Sequence, residues 1–143
     1  GTFHGGDTIN SVPDEAIIGV DVRSIVGMDH AEVLARLRDL IGHDVELDVF
    51  QDMPAVWTEP EQAWMQRVFE ICAGTLGEQP VPRTVSYNSD AGNLLKTWRG
   101  APTVILGPGE PSMAHQTDEY CRMSRIRESV AIYESIIRDW CGV

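Results

Sequence analysis

Hydrophobic residues in the first third of the chain alternate with polar ones in two short stretches. Residues 16–23 and residues 45–49 place apolar side chains at every second position, which is the pattern of half-buried strands. Residues 1–13 are dense in Gly, Asp, Asn and Pro, which indicates the end of a strand followed by a turn. These stretches indicate strands whose sheet faces are open to water, as in antiparallel α+β domains.

A helical pattern separates the two alternating stretches. Asp29 and Glu32 have the spacing of a capping-box pair, and Gly42 is a stop signal at the other end. The apolar stripe between them comprises Val33, Leu34, Leu37, Leu40 and Ile41. Residues 1–51 are therefore predicted to form a β-β-α-β arrangement.

The helical period dominates after residue 58. Helices are predicted over residues 58–76, 91–98 and 118–140, and strands over residues 83–87 and 103–106, the last of them fully buried. The predicted buried stripe of the first helix is Met65, Val68, Phe69, Cys72 and Leu76, and that of the last is Met123, Ile126, Val130, Tyr133, Ile137 and Trp140. This α-β-α-β-α order is typical of a parallel or mixed sheet covered by helices.

The change of pattern near residues 52–58 indicates pieces of two domains, over residues 1–52 and 53–143. Three strands and one helix that begin on a turn leave an unpaired edge and an uncovered apolar face. We therefore expect the first piece to be incomplete.

Composition narrows the class of protein. The chain has 143 residues, 43% hydrophobic and 23% charged, which is ordinary for a globular protein, and no apolar run approaches the ~20 residues that span a bilayer. A net charge of −11 argues against nucleic acid or an anionic membrane as partner. The chain has three widely spaced cysteines and no CxxC motif: Cys72, Cys121 and Cys141. We expect each to be a small buried apolar side chain, and the protein to lie in a reducing cytoplasm.

Candidate chemistry is concentrated in residues 107–119, GPGEPSMAHQTDE, which follow the apolar run 103–106. Sites in α/β proteins collect beyond the carboxyl ends of strands. One histidine there, His115, followed by carboxylates that could orient it, is what a catalytic metal site requires.

Two further segments stand out. Residues 5–13, GGDTINSVP, precede a strand, Val20-Asp21-Val22-Arg23, that ends in arginine. Residues 89–92, SDAG, follow one predicted strand and open a helix, where backbone N–H groups can bind an anion or a side chain can act as N-cap.

These three segments, in this order, resemble motifs of the zinc-dependent acetylornithine deacetylase and succinyl-diaminopimelate desuccinylase family, which includes aminoacylases, carboxypeptidase G and related dipeptidases. The match spans nearly the whole chain. The resemblance implies an incomplete antiparallel α+β lid, or dimerisation, domain at residues 1–52. The C-terminal part of an α/β zinc-peptidase catalytic domain would follow at residues 53–143, so the chain is expected to be a carboxy-terminal portion.

The resemblance also implies a role for His115 as one ligand of a two-metal zinc site, with cobalt or manganese as alternatives. The family's other ligands and its glutamate base have no match in residues 1–143, so no catalytic residue is assigned and the isolated piece is expected to be inactive. Glu119 is interpreted either as an outer partner of the site or as a helix-start acid.

Substrate binding is implied for six residues, each with a simpler alternative. Asn10 and Arg23 would bind the scissile carbonyl or a substrate carboxylate. The simpler alternatives are that Asn10 is a turn residue and that Arg23 is a solvated strand end. Ser89 and Asp90 would form a pocket wall, or an N-cap. Gly107 and Gly109 would allow a close approach or an unusual backbone conformation, or form an ordinary turn.

The function implied is zinc-dependent hydrolysis of the amide bond of an N-acyl amino acid by a cytoplasmic homodimer. The partner would be a small N-acyl amino acid or short peptide, with no nucleic acid and no membrane. The alternatives are a non-catalytic oligomerisation or binding module or an isolated fragment, and a dipeptidase or carboxypeptidase of the same family.

Overall fold

The computed structural model describes residues 1–143, which form a mixed α/β set of elements in two units, unit 1 over Gly1–Ala55 and unit 2 over Val56–Val143. In chain order the elements are β1 (Thr2–Gly5), β2 (Ala16–Gly19), α1 (His30–Ile41), α2 (Ala63–Leu76), α3 (Ala91–Thr97), a 3₁₀ turn (Pro111–Met113) and α4 (Met123–Cys141). None of the four helices has both the length and the apolar character needed to span a bilayer.

Unit 1 begins with an antiparallel hairpin in which Thr2 pairs with Gly19 and Gly5 with Ala16. The connecting loop depends on Gly6, whose φ is 72° and where an added Cβ would lie 3.2 Å from the Pro13 Cβ. The second strand ends at Gly19, four residues short of the prediction, because β1 offers partners only to Ala16–Gly19.

Helix α1 confirms the predicted start and stop signals. The Asp29 carboxylate accepts the N–H groups of Ala31, at 2.8 Å, and Glu32, at 3.4 Å. Gly42 ends the helix with φ 78°, a conformation that costs other residues more. The reciprocal half of the capping box is not formed, since the Glu32 side chain pairs with Arg36 instead.

The predicted strand over residues 45–49 is wrong, because the structure contains one two-stranded sheet and this segment has no strand beside it. Unit 1 is therefore β-β-α. Its last segment is tied back to α1 by a contact between the His30 Nδ1 and the Asp52 carboxylate. No side chain of unit 1 is buried.

Unit 2 is built on α2 packed against α4. Its core consists of Val68, Cys72 and Ile132, with a surrounding layer of partly buried apolar residues: Trp64, Ile71, Leu76, Val104, Leu106 and Ile136. Four members of the predicted α2 stripe, Met65, Val68, Phe69 and Cys72, are buried as expected. Burial also raises the pKa of the Cys72 thiol.

The predicted stripe of α4 is not its buried face. All six stripe residues are exposed, and the buried ones are Ser129 and Ile132. The helix also begins at Met123, five residues later than predicted. The reason is that α2 contacts the side of α4 that carries Ile132, whereas the pattern of apolar residues shows only which faces could be buried.

An ion pair links the two packed helices. The Arg67 guanidinium lies 2.6 Å from the Asp139 carboxylate of α4 and 2.9 Å from Glu70 on its own helix. The hydrogen bond to Asp139, followed by that to Glu70, raises the pKa of Arg67 above its already high value. Arg67 therefore stays charged wherever the protein is folded.

The predicted strands over 83–87 and 103–106 are not formed either. The Thr103 N–H and C=O both bond the Thr58 hydroxyl, at 2.8 and 2.9 Å, and Ile105 is 44% exposed, so this run is not fully buried. Thr58 therefore anchors this segment rather than starting α2, which begins at Ala63. A segment counts as a strand only when its backbone pairs with a neighbouring strand. At Thr103 a side-chain hydroxyl supplies the partners instead, and residues 83–87 have no strand beside them.

Candidate functional site

The loop between residues 107 and 122 carries the predicted metal ligand and is tied at both ends. At its start the Tyr133 hydroxyl of α4 donates to the Leu106 carbonyl at 2.7 Å. At its end the Cys121 thiol donates to the Pro108 carbonyl at 3.3 Å. The first bond holds the start of the loop against α4, and the second closes the loop on itself.

Inside the loop the backbone makes successive tight turns. The N–H groups of Met113, Gln116 and Glu119 donate to the carbonyls three residues earlier, at 2.9, 3.0 and 3.2 Å. Asp118 has a φ of 61°, in the left-handed region. The turns bring the end of the loop back towards His115.

His115 lies exposed at the middle of these turns with a φ of 62°. Its backbone N–H donates to the Glu119 carboxylate at 3.2 Å. Glu119 is not a helix-start acid, since α4 begins four residues later with Arg122 at its N-cap. The structure thus places Glu119 directly against His115, through the backbone rather than the imidazole.

Ser89 and Asp90 lie at the start of α3. Asp90 occupies the N-cap position, but its side chain makes no capping hydrogen bond. The Ser89 hydroxyl oxygen is buried and has no hydrogen-bond partner. An unsatisfied buried hydroxyl is uncommon, so Ser89 has an unused capacity to donate or accept.

Gly107 and Gly109 differ from the expectation that they need special conformations. Neither has a positive φ. An added Cβ would lie 3.9 Å from the Tyr133 hydroxyl at Gly107 and meet nothing within 4 Å at Gly109. The backbone here gives no reason for glycine, and a role in substrate binding stays a prediction.

Asn10 and Arg23 lie in unit 1. Asn10 is exposed in the loop between β1 and β2, next to a hydrogen bond between the Thr8 and Ser11 hydroxyls at 2.9 Å. Arg23 is half-exposed and follows β2; its guanidinium lies 2.6 Å from the Asp21 carboxylate. Four of the five guanidinium N–H donors are left for another acceptor.

The predicted residues are only partly brought together. Within unit 2, His115 and Glu119 are bonded to each other and Ser89 bonds neither of them. Within unit 1, Asn10 and Arg23 share no hydrogen bond. No group of three or more His, Cys, Asp or Glu side chains is arranged to hold a metal ion. Residues 1–143 by themselves do not fit a zinc site, which needs three or four ligands.

Each unit has a concavity on its surface. One, of about 240 Å³, is lined in unit 1 by Ile25, Val26, Gly27, Met28, His30, Pro54 and Ala55. The other, of about 560 Å³, is an open groove along α4 and includes Tyr133 and Ile137. Neither concavity is lined by His115, Ser89, Asn10 or Arg23.

Sequence reasoning missed the residues that hold the loop, chiefly Tyr133 and Cys121. The helical pattern assigns Tyr133 to an apolar stripe, although a tyrosine there usually directs its hydroxyl to a partner. The tyrosine hydroxyl was therefore the one feature of the sequence that could have indicated this contact. Nothing in the sequence around Cys121 points to the Pro108 carbonyl.

Comparison with known families identifies one that covers nearly the whole chain. The model of Peptidase family M20/M25/M40 matches residues 4–139. No solved structure gave a significant match to the chain.

Similar curated proteins carry two kinds of name. A probable succinyl-diaminopimelate desuccinylase of Staphylococcus epidermidis is 27% identical over 141 residues, which are 95% of this chain and 35% of that protein. Acetylornithine deacetylases of Photorhabdus laumondii and Vibrio cholerae are each 28% identical, over 99% of this chain and 36% and 37% of their own lengths. The chain thus spans about a third of the length of the curated relatives it matches.

Proposed function

The chain belongs to peptidase family M20/M25/M40, and we propose that the intact protein hydrolyses the amide bond of an N-acyl amino acid. The observation that carries the proposal is the family match over residues 4–139, nearly the whole chain. In such a reaction the amide C–N bond breaks, water supplies a hydroxyl to the acyl carbon, and the leaving nitrogen takes the proton.

Substrate class is proposed from the names of the relatives. Both names describe removal of an acyl group, succinyl or acetyl, from the nitrogen of an amino acid. Such a substrate carries at least one carboxylate. A chain with a net charge of −11 needs a specific cation to bind that group against the general repulsion.

Arg23 is the proposed carboxylate-binding residue. A planar guanidinium can bind a carboxylate through two parallel hydrogen bonds. Its single partner, the Asp21 carboxylate, is itself exposed, so both charges are screened by water and their pairing is weak. A substrate carboxylate can therefore join or replace Asp21 at small cost.

Asn10, Ser89, Asp90, Gly107 and Gly109 are proposed to shape the substrate pocket. The support differs among them. Asn10 has an amide free to donate to an oxygen, and Ser89 has a buried hydroxyl without a partner. Asp90 has a carboxylate that caps no helix. The two glycines are exposed, and the space where a Cβ would lie is open at Gly109.

Zinc dependence is part of the proposal for the intact protein. His115 would supply one ligand, since a neutral imidazole is the commonest protein ligand for this metal. The remaining donors would have to come from outside residues 1–143, because no three-residue donor group exists within them. Unit 1 is proposed as part of a lid and dimerisation domain, unit 2 as the C-terminal part of a catalytic domain, and the protein as a cytoplasmic homodimer.

The test is hydrolysis by the intact protein of N-succinyl-diaminopimelate, N-acetylornithine and a dipeptide, followed by detection of the released amine. We expect turnover of an acyl amino acid that is lost after chelation and restored by zinc. Turnover of the dipeptide alone would move the assignment to a dipeptidase. No turnover of any substrate, with a stable dimer by light scattering, would favour the non-catalytic oligomerisation module.

A second test addresses Arg23. In the intact enzyme, Arg23→Ala should raise KM for a substrate with a free carboxylate by about tenfold to a hundredfold, the range expected for a charged hydrogen-bonded contact. The matched control is Arg36→Ala, because Arg36 is also exposed and also bonds one carboxylate, that of Glu32. An equal loss on a substrate amidated at that carboxylate would contradict the assignment.

A further inference from the structure

His115 has a backbone conformation that needs support. Three non-glycine residues in the chain have a positive φ, and His115, at 62°, is one of them. The left-handed region is unfavourable for an L-residue, because Cβ approaches a carbonyl oxygen. Such a conformation persists only where the surroundings hold it in place.

The hydrogen bonds of the loop show what holds the His115 backbone in this conformation. The turns around His115 use the N–H groups of Gln116 and Glu119, not its own. The His115 N–H is satisfied by the Glu119 carboxylate, at 3.2 Å. The carboxylate of Glu119, four residues further along the chain, thus bonds the backbone N–H of His115 itself and closes a ring around this residue.

We propose that Glu119 is a positioning residue that holds the His115 backbone in its left-handed conformation and so sets the direction of the imidazole. A side chain leaves Cα in a direction fixed by the backbone, so loss of the left-handed conformation would swing the imidazole away. The catalytic consequence rests on the function proposed above, whereas the positioning itself is a property of the loop.

This role explains why a side chain of this length with an acceptor oxygen is present at residue 119. The carboxylate does not cap α4, whose N-cap is Arg122. A glutamine could still accept the N–H through its amide oxygen, whereas alanine has no acceptor and aspartate is one methylene shorter. The proposal therefore predicts rescue by glutamine and not by aspartate.

The experiment uses the full-length protein, labelled with ¹⁵N-histidine and free of metal, as wild type and as Glu119→Ala, Glu119→Gln and Glu119→Asp. Glu110→Ala is the matched control, since Glu110 is an acid in the same loop that does not bond the His115 N–H. The readouts are the exchange rate of the His115 amide hydrogen and the kcat for the acyl amino acid in the zinc-restored enzyme.

We expect Glu119→Ala and Glu119→Asp to speed exchange of the His115 amide about threefold to tenfold, the loss of one modest hydrogen bond. Glu119→Gln and Glu110→Ala should stay near wild type, and kcat should fall in the same two variants that exchange faster. An unchanged exchange rate in Glu119→Ala would overturn the proposal, and so would faster exchange with an unaltered kcat. If the wild-type protein hydrolyses nothing, the function proposed above fails, while the exchange rates still decide whether Glu119 holds the backbone.

Discussion

Units 1 and 2 both carry proposed site residues but are ordered by different interactions. Unit 2 has a packed core in which Val68 is 2% and Ile132 is 3% exposed. Unit 1 has no buried side chain, and Ile18 in its hairpin is 66% exposed. The order of unit 1 comes from a short backbone ladder, one capped helix and a glycine-dependent loop.

The difference indicates which kind of substitution should matter in each unit. A buried aliphatic side chain contributes about 1.5–3 kcal/mol through removal of apolar surface from water. Caps and left-handed turns contribute about 1 kcal/mol each through satisfied backbone groups and avoided strain. Unit 2 should therefore respond to loss of volume, and unit 1 to loss of local geometry.

The largest expected effect is in the core. Ile132→Ala should lower the free energy of unfolding by about 2–5 kcal/mol, because a fully buried side chain leaves a cavity between α2 and α4. The same change at exposed Ile18 should cost within about 0.5 kcal/mol. Urea unfolding of both variants measures this. Equal losses would mean that Ile18 is buried in the folded protein, and the contrast between the units would disappear.

Loop geometry should give the next effect. Gly6→Ala should cost about 1–2 kcal/mol, since φ is 72° and the new Cβ would press on Pro13. Gly109→Ala should change stability by no more than about 0.5 kcal/mol, because that glycine has room and no positive φ. Thermal unfolding of the pair gives the comparison. A larger loss at Gly109 would show that its conformation is constrained after all.

The smallest effect concerns two aspartates at N-cap positions. Asp29→Ala should destabilise by about 1 kcal/mol, because its carboxylate holds two N–H groups of α1. Asp90→Ala should be near neutral, since that side chain caps nothing. Helix content and the urea midpoint report both variants. If Asp90→Ala is as damaging as Asp29→Ala, Asp90 makes a stabilising contact that its N-cap geometry does not show.

Helices could be predicted from the sequence more completely than strands. Signals such as Asp29 and Gly42 are local, and the four helices are predicted with ends within five residues of those observed. Three predicted strands are not formed, because an alternating pattern shows that a segment suits a sheet but not that a partner lies beside it. The predicted buried face of α4 is wrong for the same reason, since which face is covered depends on its neighbour.

Site residues could be found by motif, whereas the contacts that arrange them could not. His115, Arg23 and Asn10 stand out by residue type and spacing. The bond from the His115 N–H to Glu119, and the unsatisfied Ser89 hydroxyl, depend on turns whose geometry no single residue encodes. The roles of these residues stay predictions until they are tested in the intact protein.

The most direct measurement is the rate of acyl amino acid hydrolysis by the intact protein with His115→Ala, beside His43→Ala as a matched exposed histidine of unit 1. Mutation of a residue that only orients a metal ligand already costs ~10–100-fold in metal affinity or activity. Loss of the ligand itself should therefore lower kcat/KM by more than about 100-fold. His43→Ala should keep the wild-type rate, and both variants should keep the wild-type Tm within a few degrees. Wild-type hydrolysis by His115→Ala would contradict the account, because the residue on which the proposed site depends would then be dispensable.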